Sequence, residues 1–468
     1  MSNRHNLIDR RSFLGSATIG SSALLAALAG RLTEGATTSV LRGSDYGPLS
    51  PAFDRRDGVA RLALPAGFEY RSFGWEGDIM SDGLLTPRAH DGMAAFATRN
   101  GRVRLVRNHE DRDVPPESVV KGDPELAYDR KAGGGTTTLE VKLTPAGDRV
   151  LVRDFLSLSG TTVNCAGGPT PWGSWLTCEE TLDDEKQGFQ RRHGYVFDVP
   201  ATADGQVKAE PHTALGRFAH EAVAVDPLSS VIYETEDANP CGFYGFLPRR
   251  PGRLDNGRLM MLAVRNQPNY DTRTGQTVGE ALPVEWVGIE QPDPAPGTSV
   301  FDQGYAKGGA AFTRLEGVSW GRRSAFIVST DGGDAQLGQV WEYRPDAQGG
   351  TLTLTFESPA IGVLSGPDNL TVSPRGGILL CEDGNADVQY LRGLDREGQV
   401  FDFALNLVNE REFAGACFAT FGNDDDGDGQ SRSQTLFVNI QGDTRTSDPT
   451  EYIAYTFAIW GPWHRGAL

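Results

Sequence analysis

Six copies of one short pattern constrain the fold of this 468-residue chain more than any other feature. In each copy a small or polar residue leads into a short strand, a turn with Gly, Pro, Asp or Arg follows, and a second strand ends in acidic or amide residues. The copies span residues 90–111, 162–180, 219–237, 315–333, 366–385 and 414–444. Most copies are followed by another pair of predicted strands with an aromatic tail, so each unit is predicted to hold about four strands.

These six units predict an all-β chain folded as a six-bladed β-propeller. The alternative is a β-sandwich or a solenoid in which the acidic turns recur by coincidence, but their recurrence in the same phase of every unit favours the propeller. A propeller must close its ring, and the isolated strand-like stretch at 64–74 is predicted to supply the outer strand of the last blade. The 58 glycines and 27 prolines suit many short strands joined by tight turns.

The N-terminal residues predict export. Residues 9–14, Asp-Arg-Arg-Ser-Phe-Leu, form a twin-arginine pattern, and a mildly apolar run rich in Ala, Ser and Gly follows at 15–30. We therefore expect a Tat signal peptide over 1–35, a linker over 36–60 and the propeller over 61–468. The alternative is a short amphipathic helix that carries two arginines by coincidence.

The N-terminal residues also predict where the mature protein is located in the cell. The apolar run is too short and too weakly apolar for a permanent membrane anchor. The Tat export machinery is therefore a predicted partner, and the periplasm or the cell exterior is the predicted location.

The formal net charge of −18 argues against one class of partner. Proteins bind nucleic acid through Lys and Arg side chains that displace counterions from the phosphate backbone, so we expect no nucleic acid partner. A function that handles phosphate would need local positive charge, which bound cations can supply.

Equivalent positions of a propeller converge on its central channel, because the first strand of each blade lines that channel. In the sixth unit the first-strand position holds only small residues near Gly415. In the other five units it holds an acid or a thiol: Asp91, Cys165, Glu221, Glu316 and Asp368. The second strands end in Glu110, Glu179 or Glu180, Glu236, Asp331, Glu382 and Gln441.

A ring of carboxylates at one channel mouth predicts bound metal ions. Packed carboxylates raise the pKa of one another and destabilise a fold unless cations neutralise them. Carboxylate oxygens suit calcium, whereas a thiolate among them favours a more thiophilic metal such as iron. The predicted metal ligands are Cys165, Glu179, Glu221, Glu316, Glu110, Glu382 and Asp368.

The segment NCAGGPTPWGSWLTCEE (164–180) resembles the signature of PhoX-type alkaline phosphatases. Further blocks are similar to that family and follow in the same order, from about residue 60 to the C-terminus: NHE, RFAHEAVAVDP, RLEGVSWG, GPDNLTVSPRG and EFAGACF. The resemblance implies a six-bladed propeller, Tat export and phosphomonoester hydrolysis at a mixed cluster of iron (Fe3+) and calcium.

The resemblance also implies roles for single residues. Cys165, Glu179, Glu221 and Glu316 fall on metal-ligand blocks. Arg314 falls on a phosphate-contacting arginine, and Asn108 and Asn164 fall where substrate contacts are expected.

The resulting functional prediction is a metal-dependent phosphomonoesterase that releases phosphate from small phosphomonoesters in the propeller channel. Two alternatives stay open: a noncatalytic, calcium-stabilised propeller that serves as a binding module, and a calcium-dependent hydrolase of the lactonase type. Cys165 discriminates between them, because neither alternative has an evident use for a thiolate.

An acidic stretch in the sixth unit, NDDDGDGQ (423–430), partly matches a calcium-binding loop. Asp424, Asp426, Asp428 and Gly429 occupy positions one, three, five and six of an EF-hand-like loop, but Thr435 stands where a bidentate Glu is expected. The alternative is a solvated acidic hairpin.

Overall fold

The computed structural model describes residues 46–98, 100–384, 388–421, 434–446 and 452–468. The predicted signal peptide, the first part of the predicted linker and the acidic stretch at 423–430 lie outside the described residues. All described residues belong to the compact unit Arg42–Leu468.

The described strands group into six blades around a channel, which confirms the predicted all-β, six-bladed propeller. The six innermost strands are β4 (His90–Ala97), β8 (Asn164–Pro169), β11 (His220–Val225), β16 (Leu315–Gly321), β20 (Pro367–Val372) and β24 (Phe413–Thr420). Each packs beside the next, and β24 packs beside β4, so they form a closed ring. The second strands are β5 (Arg102–His109), β9 (Ser174–Glu179), β12 (Ile232–Glu236), β17 (Ser324–Ser329), β21 (Ile378–Glu382) and β25 (Gln434–Ile440).

The outer strands complete the blades. The third strands are β6 (Gly134–Leu143), β10 (Val196–Pro200), β13 (Phe243–Pro248), β18 (Gln339–Arg344), β22 (Tyr390–Leu394) and β26 (Tyr455–Trp460). Among the described residues the second blade ends at β10, and the other fourth strands are β7 (Arg149–Thr161), β14 (Gly257–Val264), β19 (Thr351–Glu357), β23 (Val400–Asn406) and, for the sixth blade, β3 (Glu69–Phe73).

Strand β3 closes the ring. It pairs antiparallel with β26, from Phe73 opposite Thr456 to Glu69 opposite Trp460. This confirms the prediction that the stretch at 64–74 supplies the outer strand of the last blade. The sixth blade is therefore held by strands from both ends of the domain.

Three further strands and one short helix lie outside the basic blades: β1 (Leu49–Ala52), β2 (Leu62–Pro65), β15 (Ala281–Gly288) and α1 (Val300–Tyr305). Strands β1 and β2 extend the fifth blade, so part of the stretch expected to be a linker belongs to the folded domain. Strand β15 joins the edges of the third and fourth blades. Three 3-10 helices cover Glu185–Gln187, Thr213–Leu215 and Trp463–Arg465.

The hydrophobic core is divided among the blade interfaces. Within the described residues, six clusters of buried apolar side chains occur, one between each pair of neighbouring blades. Alternation along each strand sends apolar side chains to these interfaces. Along the described chain no helix has the length and apolar character needed to span a membrane.

One irregularity recurs in every inner strand and positions the site. The pairing of each inner strand with its neighbour shifts register after the first residues, between His90 and Met93 in β4 and at the equivalent place in the other five. A bulge of this kind re-aims side chains. The bulged residues begin at Asp91, Cys165, Glu221, Glu316, Asp368 and Gly415.

Candidate active site in the channel

Acidic side chains and one thiol meet at the end of the channel where the inner strands begin. We call this group the channel cluster; it comprises Asp91, Glu110, Cys165, Glu180, Glu221, Asp237, Glu316, Asp368, Asp383 and Glu412. The channel cluster contains the bulged residues of the first five blades, all of which were predicted to meet in the channel. It also contains the predicted Glu110.

The closest grouping has mixed sulfur and oxygen donors. Ligand atoms of Asp91, Glu110 and Cys165 all lie within 4.8 Å of one another, and all three residues are buried. The Sγ of Cys165 also donates a hydrogen bond of 3.2 Å to Oε1 of Glu221. Three carboxylates and a sulfur from the first three blades are thus linked through Cys165.

Several oxygens in the cluster have no hydrogen-bond partner among the described residues. They are Oδ1 of Asp91, Oε2 of Glu221 and Oε2 of Glu412, all buried. An unsatisfied buried carboxylate oxygen costs free energy, whereas a cation satisfies it and neutralises its charge. The donor set therefore fits bound metal ions.

The electrostatics of the cluster point the same way. Burial, followed by repulsion from neighbouring carboxylates, raises the pKa values of Asp91, Glu221 and Glu316 well above their ordinary range. The same causes raise the pKa of Asp383 to about 7, and they raise the pKa of the Cys165 thiol well above its ordinary value. Without cations these groups retain protons, and only a positive charge at their centre would make all of them anionic together.

In the second, third and fifth blades the acid that faces the mouth lies one position beyond the last residue of the second strand, as Glu110 does in the first blade. Glu179, Glu236 and Glu382 end their strands and face away from the mouth, whereas Glu180, Asp237 and Asp383 face it. Successive side chains of an extended chain point to opposite sides, so a shift of one residue changes which side chain reaches the channel.

Glu179 is fully occupied by other partners. Its Oε1 accepts hydrogen bonds from Nδ1 of His193 at 2.6 Å and from the Thr162 backbone at 3.1 Å, and its Oε2 accepts from the backbones of Gly194 and Tyr195. Burial opposes a charged imidazole, but Glu179 and Asp129 outweigh it and raise the pKa of His193 to about 9. The structure does not bring Glu179 into the channel cluster.

Glu382 is likewise engaged elsewhere. Its Oε1 accepts from Nε of Arg392 at 2.9 Å and from the Ser365 backbone at 3.0 Å. The structure does not bring Glu382 into the cluster, and the adjacent Asp383 takes that place.

The sixth blade contributes an acid that sequence analysis missed. Its bulge holds only Gly415 and Ala416, as expected. Glu412, just before β24, places its side chain in the channel cluster instead. Burial and the carboxylates of Asp383, Asp368 and Asp91 raise its pKa well above the usual range. The available signal was Glu412 itself, the first residue of the EFAGACF block, which lies two residues before the sixth unit at 414–444.

Asn108 and Asn164 hold the scaffold around Cys165. The amide nitrogen of Asn108 donates to the carbonyls of Cys165 and Ala166 at 2.9 and 2.8 Å, and its oxygen accepts from Nε1 of Trp175 at 2.8 Å. The side chain of Asn164 bonds to the hydroxyls of Thr161 and Thr177. Both amides are buried and engaged, so the geometry makes them positioning residues for the bulge that carries Cys165.

Two arginines rim the mouth. Arg314 binds both carboxylate oxygens of Asp237, at 3.0 and 3.2 Å, and also contacts Glu316; its side chain is 38% exposed. Burial works against its charge, but Glu316 and Asp237 raise the pKa of Arg314 above its usual value. Arg112, which sequence analysis missed, lies 2.6 Å from Glu180 and contacts Glu110. Each guanidinium thus bridges two neighbouring blades and remains reachable from solvent.

Comparison with known proteins gives matches to a sequence family and to solved structures. The family described as alkaline phosphatase PhoX matches residues 44–443. PhoX of Pseudomonas fluorescens, solved in complex with vanadate as a transition state analogue, shares 18% identity with a TM-score of 0.65, over 92% of this chain and 99% of that chain. At this identity the structural match bears on the fold alone.

Two other solved structures match less well. A luciferin-regenerating enzyme is 10% identical with a TM-score of 0.35, over 80% of this chain and 92% of its own. A periplasmic gluconolactonase of Pseudomonas aeruginosa is 14% identical with a TM-score of 0.32, over 80% of this chain and 95% of its own. No curated protein matched the sequence.

Proposed function

Because the chain belongs to the PhoX family of alkaline phosphatases and is a phosphomonoesterase, we propose that its channel cluster hydrolyses small phosphate monoesters with iron and calcium as its resident metals. The observation that carries the proposal is the convergence of a thiol and two carboxylates, Cys165, Asp91 and Glu110, within 4.8 Å. A site for calcium alone would need only oxygen donors, whereas the thiol suits a transition metal.

Distinct residues would hold the two kinds of metal. Cys165 with Asp91, Glu110 and Glu221 would hold iron, because ligand atoms of Asp91 and Glu110 lie within 4.8 Å of the sulfur and Glu221 accepts a hydrogen bond from it. The remaining carboxylates, which offer oxygen only, suit calcium: Glu180, Glu316, Asp368, Asp383 and Glu412. We propose Glu180 and Asp383 in place of Glu179 and Glu382, whose oxygens are taken by other partners.

Bound in this cluster, iron and calcium supply the Lewis acidity that neutralises charge on the phosphoryl oxygens. The chain itself supplies orientation. The Arg314 guanidinium is held at the mouth by Asp237 while its side chain stays 38% exposed, and a planar guanidinium matches the oxygens of a phosphate group. Arg112 offers a second guanidinium across the mouth, so a phosphomonoester dianion meets two positive groups on a protein of net charge −18.

Export is part of the proposal. The twin-arginine pattern at residues 9–14 supports passage through the Tat machinery, which carries folded proteins, and hence a periplasmic or extracellular location. A metal cluster built from six blades exists only in the folded chain, so export after folding suits its assembly.

The test combines activity with elemental analysis. Purified protein is expected to hydrolyse p-nitrophenyl phosphate at alkaline pH, to lose activity with a chelator, and to contain iron. Cys165→Ser is expected to lose iron and at least about 100-fold in kcat while remaining folded. Cys178→Ala is the matched control, since Cys178 is equally buried but lies in an apolar cluster. Unchanged iron content in Cys165→Ser would refute the ligand assignment.

A further inference from the structure

A second polar cavity lies at the opposite end of the sixth blade, with a volume of about 620 Å³. We call it the basal cavity. Its lining includes the three arginines Arg149, Arg375 and Arg465, and among the described residues Glu69 is its one acidic lining residue. Positive groups gathered in this way are unusual on a protein of net charge −18.

The basal cavity is remote from the channel cluster. Strand β25 begins at Gln434, which lines the cavity, and ends at Ile440, beside Gln441. The side chain of Gln441 donates to Glu110 of the cluster at 2.6 Å. At roughly 3.3 Å per residue the strand separates the two places by about 20 Å, so they are distinct sites.

A buried amide faces the cavity without a partner. The Gln434 side chain is 8% exposed, and its Nε2 has no hydrogen-bond partner among the described residues. The Gln434 backbone is held in place, because its carbonyl accepts from Nε1 of Trp463 at 3.2 Å. A buried N–H group without an acceptor is costly, and a ligand that brings an acceptor oxygen removes that cost.

The arginines of the cavity are held in position by contacts within the chain. The Arg149 guanidinium stacks on Trp460 at 4.4 Å and its Nε donates to Thr435 at 3.0 Å. Arg375 donates through Nε to the Gly466 carbonyl at 2.7 Å. Within the part of the chain that the structure describes, neither Arg375 nor Arg465 forms an ion pair with a carboxylate.

We propose that the basal cavity is a second anion site, which binds a phosphate group either as inorganic phosphate or as the phosphoryl group of a small ester. The lining offers N–H donors from guanidinium groups and from one amide, and a tetrahedral dianion has the oxygens to accept several of them at once. The site is independent of catalysis in the channel.

The experiment counts bound phosphate. Equilibrium dialysis of the full-length, metal-loaded protein with radiolabelled inorganic phosphate is expected to show two classes of sites. The double variant Arg375→Ala with Arg465→Ala is expected to lose one class, while kcat and KM for p-nitrophenyl phosphate stay within about twofold of the parent. Gln434→Leu, which changes no charge, is expected to weaken the same class at least about tenfold.

The control removes equal charge elsewhere. Arg249→Ala with Arg250→Ala alters two exposed arginines of another turn and is expected to retain both classes of sites. Competition by phenylphosphonate, a non-hydrolysable mimic, identifies an ester phosphoryl group as the ligand, and lack of competition identifies free phosphate. Absence of turnover in the parent protein would count against the proposed function alone, since dialysis does not depend on catalysis.

Two results would overturn the proposal. One is the same number of bound phosphates in the parent and in the double variant. The other is loss of the same class of sites in the control variant Arg249→Ala with Arg250→Ala, because the effect would then follow net charge rather than the basal cavity.

Discussion

Glu179 and Glu180 are adjacent in the chain but have opposite roles, and substitution separates them. Glu180→Gln is expected to lose metal and activity, because it removes one oxygen anion of the channel cluster while leaving the scaffold intact. Glu179→Gln is expected to keep metal but to lower the free energy of unfolding by about 3 kcal/mol, because it breaks a buried pair with His193.

The measurements are metal content per folded molecule and denaturant unfolding of both variants. Each variant serves as the control for the other, since both replace a buried glutamate by its amide. Metal loss in Glu179→Gln with retention in Glu180→Gln would reverse the assignment.

Arg314 is expected to act on substrate rather than on metal. Arg314→Ala should raise KM for p-nitrophenyl phosphate about 10- to 100-fold with iron retained, because charge-assisted hydrogen bonds contribute about 1.5–3 kcal/mol. Arg323→Ala is the matched control, since Arg323 also has a positive φ, of 65°, in an exposed turn of the same blade. Iron loss in Arg314→Ala would make Arg314 a structural partner of the ligands instead.

At the scale of elements, the bulges of the inner strands require very close backbone approach. A Cβ on Gly92 would lie 2.5 Å from the Cα of Ala166 and 2.8 Å from the carbonyl oxygen of Cys165. Gly92→Ala is therefore expected to displace the bulge that carries Cys165, to destabilise the protein by about 1–3 kcal/mol and to lower its iron content.

The control for that change is Gly288→Ala. A Cβ there meets open space, and Gly288 also lies in a strand. Elemental analysis and thermal unfolding of both variants measure the expected losses of iron and of stability. Full iron occupancy in Gly92→Ala would show that the cluster tolerates a shift of β8.

At the scale of the whole molecule, the metal ions and the fold stabilise each other. Burial and mutual repulsion raise the pKa values of Asp91, Glu221 and Glu316 well above the ordinary carboxyl range, and that of Asp383 to about 7. In the metal-free protein the folded state therefore holds more protons than the unfolded chain between about pH 4 and pH 7, and stability falls as pH rises through that window.

The expected outcome is a melting temperature of the chelated protein that drops by about 5 °C or more from pH 5 to pH 8. Restored iron and calcium should raise it again at pH 8, where the carboxylates are free to bind them. Thermal scans with and without chelator test this. A chelated protein that is equally stable at both pH values would show that these carboxylates do not repel one another in the folded state.

Sequence patterns were enough to predict the number of blades, the closure by the stretch at 64–74 and the first-strand residues that meet in the channel. These features depend on short repeated patterns, and a repeat preserves the phase of one strand relative to the next unit. The family resemblance rested on the same local blocks, above all the segment around Cys165.

The three-dimensional arrangement of the blades was needed to tell which of two adjacent acids faces the mouth, as with Glu180 rather than Glu179. The choice depends on how each second strand ends against the bulge of its partner, and an error of one residue reverses the direction of a side chain. Glu412 and Arg112 escaped sequence analysis for a related reason: they lie just outside the repeated pattern and reach the cluster only because six blades close into a ring.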